Sequence, residues 1–146
     1  YRRPNIGAVA DAVISARSVT MGTLVPTRFD TPIRLARGLE QGRHVAMLVD
    51  QHDTKGVEVT FFGRKCRANP LIAMLARQLE CPIHGVHMTR LPEGKFRGEM
   101  TDAIAPVRDA DGRIDVQGTM QAITSIVEGW VREHPEQWLW LHRRWR

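Results

Sequence analysis

The chain has 146 residues, 42% hydrophobic and 25% charged, with a formal net charge of +5. This length allows one domain with a real core, and the balance excludes a disordered polymer. The excess of cations favours polyanions such as nucleic acid, a phospholipid surface or a phosphorylated substrate, and composition does not choose among them.

Residues 5–17 place Ile6, Val9, Val13 and Ile14 at helical spacing, which predicts a short amphipathic helix. Residues 20–26 are apolar and read as a strand or its approach. Asp30-Thr31-Pro32 supplies a capping residue and an early proline for a second helix carrying Ile33, Leu35, Ala36 and Leu39, which Gly42 ends. The continuous apolar run of residues 45–49 predicts a buried parallel strand, with Asp50-Gln51-His52-Asp53 at its C-terminal end. In open α/β sheets that edge is where ligands bind.

Residues 57–62 form another extended segment closed by Gly63, and Asn69-Pro70 opens a third helix through Glu80. Residues 82–88 and 95–104 are expected to pair as antiparallel strands across the Leu91-Pro92-Glu93-Gly94 turn. A long helix is predicted over residues 116–133, with Met120, Ile123, Ile126, Val127, Trp130 and Val131 inside and His134-Pro135 as its stop. Strands alternating with helices predict an α/β layered sheet flanked by helices.

The last segment, residues 136–146, combines Trp138, Trp140 and Trp145 with Arg143, Arg144 and Arg146. Tryptophan favours a membrane–water boundary and arginine favours phosphate headgroups, so Trp138, Trp140, Arg143, Arg144 and Trp145 are candidates for contact with an anionic membrane surface. A helix docking its aromatics into the core is the competing expectation.

Several chemistries find little support. His84 and His87 lie three apart on a predicted strand and would point to opposite faces, and no Cys/His spacing matches a zinc site, so no metal is expected. Cys66 sits among Arg64, Lys65 and Arg67, where cations favour a thiolate, but no partner histidine accompanies it. Two cysteines fit a reducing compartment better than a disulfide framework. No nucleophile elbow or phosphate loop occurs. Nucleic-acid binding would rest on charge alone, with Phe61 and Phe62 available to stack, and is not expected. Arg2-Arg3-Pro4-Asn5 places guanidinium forks suited to phosphate or carboxylate in a proline-stiffened segment.

A set of matches runs along the whole chain: Tyr1-Arg2-Arg3-Pro4-Asn5, Asp50-Gln51, Phe61-Phe62-Gly63, the helix of residues 73–77, Cys81-Pro82-Ile83 before a strand ending near Arg90, Pro135-Glu136-Gln137-Trp138 and Leu141-His142-Arg143-Arg144-Trp145. In these the chain resembles the bacterial lipid A biosynthesis acyltransferases, the lauroyl and myristoyl transferases that use acyl carrier protein thioesters. The resemblance implies a glycerolipid-acyltransferase-like α/β fold at the cytoplasmic face of the bacterial inner membrane. It implies an acyl carrier protein donor, a lipid A precursor as acceptor, and no cofactor.

The family's catalytic signature is a histidine followed, after four intervening residues, by Asp or Glu. None of the six histidines has an acidic residue at that spacing. In the family that motif precedes the segment matched by Tyr1 to Asn5. The expectation is therefore that residues 1–146 are the C-terminal portion of one acyltransferase domain, inactive alone, with the N-terminal part absent. By match to family positions, Arg3 and Asn5 are expected to contact substrate phosphate or the oxyanion. Asp50 and Gln51 are expected to organise the acceptor, with Arg17 and Arg90 as further substrate-binding candidates. Related actinobacterial enzymes that acylate phosphatidylinositol mannosides share the layout; Asp50-Gln51 and the tail from Gln137 to His142 lean toward the lipid A branch.

Overall fold

The computed structural model describes residues 7–20 and 22–145. It falls into two compact units, Tyr1–Val45 and Ala46–Arg146.

The first unit holds two helices, α1 (Gly7–Thr20) and α2 (Thr31–Glu40). The expected strand over residues 20–26 does not form: Thr20 ends α1, and residues 22–27 have no regular structure. At the start of α2 the Asp30 side chain makes no capping bond. Instead the Thr31 hydroxyl accepts from the Arg28 N–H at 2.7 Å and donates to the Pro26 carbonyl at 2.8 Å. The helix ends as Gly42 predicts. Gly42, at φ +73°, bonds back to the Leu39 carbonyl, and the Arg43 N–H reaches that of Gly38. This pairing satisfies the last helical carbonyls and needs a left-handed residue.

The second unit begins at Ala46, inside the segment expected to be a buried parallel strand. Residues 45–49 instead have no strand partner among the described residues, and their exposure alternates, with Leu48 77% exposed. A strand exists only with a hydrogen-bonded neighbour, and here an extended apolar run lacks one. The fold class is α/β as expected, with the strands in two antiparallel ribbons. β1 (His52–Phe61) pairs with β2 (Arg64–Ala68), and β3 (Val86–Arg90) with β4 (Phe96–Met100).

In the first ribbon both His52 and Val57 register against Ala68, so β1 bulges between them. Gly56 sits in the bulge, where a Cβ would lie 2.1 Å from the Ala68 carbonyl oxygen. The ribbon turns through Phe62 and Gly63, both at positive φ (52° and 71°), a two-residue connection suited to the twist of antiparallel strands.

α3 (Leu71–Leu79) and α4 (Val116–Glu133) complete the unit. The Asn69 side-chain amide oxygen accepts from the Leu71 N–H at 2.9 Å, and Glu80, in the left-handed region, ends α3. Asp115 caps α4 by accepting from the N–H groups of Gln117 and Gly118, a cap worth about 1 kcal/mol. The buried core gathers Val59, Phe61, Cys66 and Ala68 of the first ribbon, Ala73 and Ala76 of α3, and Met120, Ile123 and Val131 of α4.

Two α4 threonines join this core with their hydroxyls satisfied. Thr124 donates to the Met120 carbonyl, and Thr119 exchanges bonds with the backbone of Val107. From the same helix Gln121 closes the free edge of β1, accepting from the Thr60 N–H at 2.7 Å and donating to its carbonyl at 3.0 Å.

Candidate functional site

The C-terminal tail after α4 does not form a surface helix. A short 3-10 turn (Pro135–Gln137) redirects the chain, which then crosses the start of β1 and the β1–β2 turn. Trp138 donates its indole N–H to an Asp50 carboxylate oxygen at 3.2 Å. The imidazole Nε2 of His142 accepts from the His52 backbone N–H at 2.8 Å. Arg144 donates to the carbonyls of Gln51 at 3.0 Å and Arg67 at 2.6 Å, and its guanidinium lies 5.7 Å from the Phe61 ring centre. Trp145 donates its indole N–H to the Phe61 carbonyl at 3.1 Å.

An aromatic cluster underlies these bonds. Phe61, 1% exposed, has Trp138 at 5.5 Å, Trp145 at 5.7 Å and Phe62 edge-on at 4.8 Å. Trp140 stands perpendicular to Trp138 at 4.9 Å. Phe62 is held in its left-handed conformation from several sides. Its N–H donates to Glu128 at 2.6 Å, and the Arg132 guanidinium lies 4.6 Å from its ring centre. The Phe62 N–H, together with the Arg132 guanidinium bonded to the same side chain, holds the Glu128 carboxyl below the usual carboxylate range.

The structure corrects part of the membrane-surface expectation. Arg144 is 1% exposed and bonded on the inside, so it is not available to headgroups. Trp138 and Trp145 are half-buried against Phe61, with both indole N–H groups taken by protein. The rings that would have sat at a lipid boundary instead cover the core. Leu139, Trp140, Leu141 and Arg143 are the exposed residues of this stretch.

Among the substrate-binding candidates, Arg3 and Asn5 lie outside the described residues. Arg17 is on α1 in the first unit. Asp50 and Gln51 stand where expected, after the apolar segment, but on an irregular approach to β1 rather than at the end of a parallel strand. The carboxylate of Asp50 is half-buried and engaged by Trp138, whereas the Gln51 side chain is exposed and its carbonyl serves Arg144. Arg90 ends β3, with its guanidinium 5.6 Å from the Phe96 ring centre. The crevice bounded by Val49, Asp50, Phe61, Thr124, Val127 and Arg144 is too tight to hold a water molecule.

Sequence reasoning missed His142, whose ring grips the β1 backbone, and Gln137, which bonds both backbone groups of Arg90. Their signal was present only as membership of a dense polar–aromatic tail. Cys66 is buried, and desolvation pushes its thiol pKa up against the lowering effect of Arg144. The neighbouring cations therefore do not activate it. No group of three His, Cys, Asp or Glu side chains suited to a metal occurs among the described residues. No described helix is long and apolar enough to cross a membrane.

These features define an α/β domain whose C-terminal tail straps an Asp-Gln-His segment to an aromatic core. The family model for bacterial lipid A biosynthesis acyltransferases matches residues 1–146, and the chain belongs to that family. Among curated proteins none matches the chain.

Proposed function

We propose that the protein transfers a fatty acyl chain from an acyl carrier protein thioester to a hydroxyl of a lipid A precursor, at the cytoplasmic face of the bacterial inner membrane. The observation that carries this reading is the family match along the entire chain. In this proposal the general base is a histidine oriented by an acidic partner, drawn from polypeptide outside these 146 residues. It removes the acceptor hydroxyl proton, the oxygen attacks the thioester carbon, and the tetrahedral oxyanion collapses with loss of the carrier thiolate, which takes up a proton.

Arg3 and Asn5 contact the oxyanion or a substrate phosphate, for which a guanidinium fork and an amide N–H are suitable donors. Asp50 and Gln51 organise the acceptor, Asp50 through the carboxylate oxygen that Trp138 does not take. Arg17 and Arg90 are further substrate contacts. Residues 1–146 are then the C-terminal portion of one acyltransferase domain.

The test supplies an acyl carrier protein thioester and a lipid A precursor to the parent polypeptide and follows both by mass spectrometry. The expected result is an acceptor heavier by one acyl group and a free carrier thiol, with no transfer by the 146-residue chain alone. A parent protein that carries the histidine motif yet acylates no lipid A precursor refutes the proposal. Transfer by the isolated chain refutes the placement of the base.

A further inference from the structure

The β3–β4 ribbon is docked on one face through β3 and bare on the other, while all of β4 is exposed. On the docked side His87 stacks on Trp130 of α4, with ring centres 5.1 Å apart and planes within 4°, and Thr89 is buried. At the foot of the ribbon, a Cβ added at Gly85 would lie 2.6 Å from the Trp130 ring. This contact fixes which side looks outward. The register pairs Val86 with Met100, Met88 with Gly98 and Arg90 with Phe96, so these six residues share the opposite face. Val86, Met88, Phe96 and Met100 are 61%, 55%, 59% and 71% exposed. Met88 lies across Gly98, with its sulfur 3.0 Å from where a Cβ would stand.

We propose that this outer face of the β3–β4 ribbon is the surface on which the protein rests against an anionic lipid bilayer, with the four apolar side chains entering the headgroup boundary and Arg90 meeting phosphate. It rests on the acyltransferase reading, because an enzyme of that class must reach an acceptor held in a membrane. The charge pattern fits: the face carries one guanidinium and no carboxylate, and arginine beside aromatic and aliphatic residues suits the lipid–water boundary.

A second copy of the chain fits poorly. Two five-residue strands present a face only about 17 Å long and about 10 Å wide, small for the whole interface of a stable dimer. Strand addition at the outer edge of β3 is obstructed too. The Gln137 amide accepts from the Arg90 N–H at 2.6 Å and donates to its carbonyl at 3.3 Å.

The experiment is co-sedimentation of the purified chain with vesicles of phosphatidylglycerol and phosphatidylcholine. Wild-type protein is expected to partition into the vesicles. The Met88→Asp/Phe96→Asp double variant should partition at least tenfold less, and Leu141→Asp, on the tail, less than twofold less. A polarity-sensitive dye attached to Met88→Cys, in a Cys81→Ser background, should shift to the blue on vesicle addition. That measurement tests the face without relying on the acidic variant folding.

Wild-type protein that stays in solution, an acidic variant that binds undiminished, a dye that does not respond, or a dimer lost on the same substitutions overturns the proposal. Acyl transfer by the parent enzyme to detergent-dispersed acceptor tests the underlying reading separately. Its failure would leave the vesicle result standing.

Discussion

Replacing Arg144 by alanine tests whether the tail is structural. In the native protein its Nη1 serves two backbone carbonyls, those of Gln51 and Arg67, in a site 1% exposed. Truncation takes the donor from both carbonyls in this part-buried site, at about 1–3 kcal/mol each. It also removes the guanidinium from beside Phe61 and opens a void next to Val49 and Val127. Relief from burying the charge offsets part of this cost. The net expectation is a loss of about 3–5 kcal/mol, which lowers the melting temperature by roughly 10–20 °C for a domain of this size.

The assay is thermal unfolding followed by far-UV circular dichroism and tryptophan fluorescence, with Arg143→Ala as the control. Arg143 is exposed, so its loss should shift the midpoint by no more than about 2 °C. Equal, small shifts for the two variants would refute the buried-strap assignment and restore both arginines to the surface.

Three further outcomes follow from single contacts. Gly56→Ala forces a Cβ to within 2.1 Å of the Ala68 carbonyl oxygen, which is backbone and cannot step aside. Denaturant unfolding should show a loss of at least about 2 kcal/mol, and a neutral result would mean that the bulge relaxes freely. Trp138→Phe keeps a ring beside Phe61 but deletes the donor to Asp50, so a loss of about 1 kcal/mol is expected; a loss above about 4 kcal/mol would point to ring shape rather than the bond. Glu128 has a folded pKa below its ordinary 4.5, caused first by the Phe62 N–H. The unfolded chain then binds the extra proton, so the stability that Glu128 adds is present above about pH 5 and disappears as pH falls through the folded value. The stability gap between wild type and Glu128→Gln, measured between about pH 6 and pH 3, should narrow toward acid; a constant gap would contradict the sign.

The elements legible in the sequence are those fixed by local chemistry. α4 runs from Val116 to Glu133 as expected, because an apolar stripe of helical period runs up to a His-Pro stop. The pairing of β3 with β4 was equally visible in two extended segments joined by a proline–glycine turn. Residues 45–49 misled because an apolar run states only that a segment wants cover and not which strand will provide it. Arg143 and Arg144 show the limit at a single residue. The two are adjacent and chemically identical, and composition does not say which one faces inward. The choice falls on Arg144 because the carbonyls of Gln51 and Arg67, far away in sequence, stand on its side. The Asp50 carboxylate bonds to Trp138 across 88 positions, and no local pattern encodes that partner.

If the tail is a strap, removing it should do more than weaken the domain. Deleting residues 138–146 takes away the two indoles that cover Phe61, the donors to Asp50, Gln51 and Arg67, and the acceptor for the His52 N–H. Exposing a phenylalanine that is 1% accessible costs about 1.5–3 kcal/mol by area alone. The orphaned backbone groups add a comparable amount. The sum rivals the 5–15 kcal/mol by which domains are stable, so the truncated chain should lose its cooperative melt and show exposed hydrophobic surface by dye binding. A truncated chain that melts cooperatively, within about 5 °C of the parent, would mean that the tail merely lies on a core already complete without it.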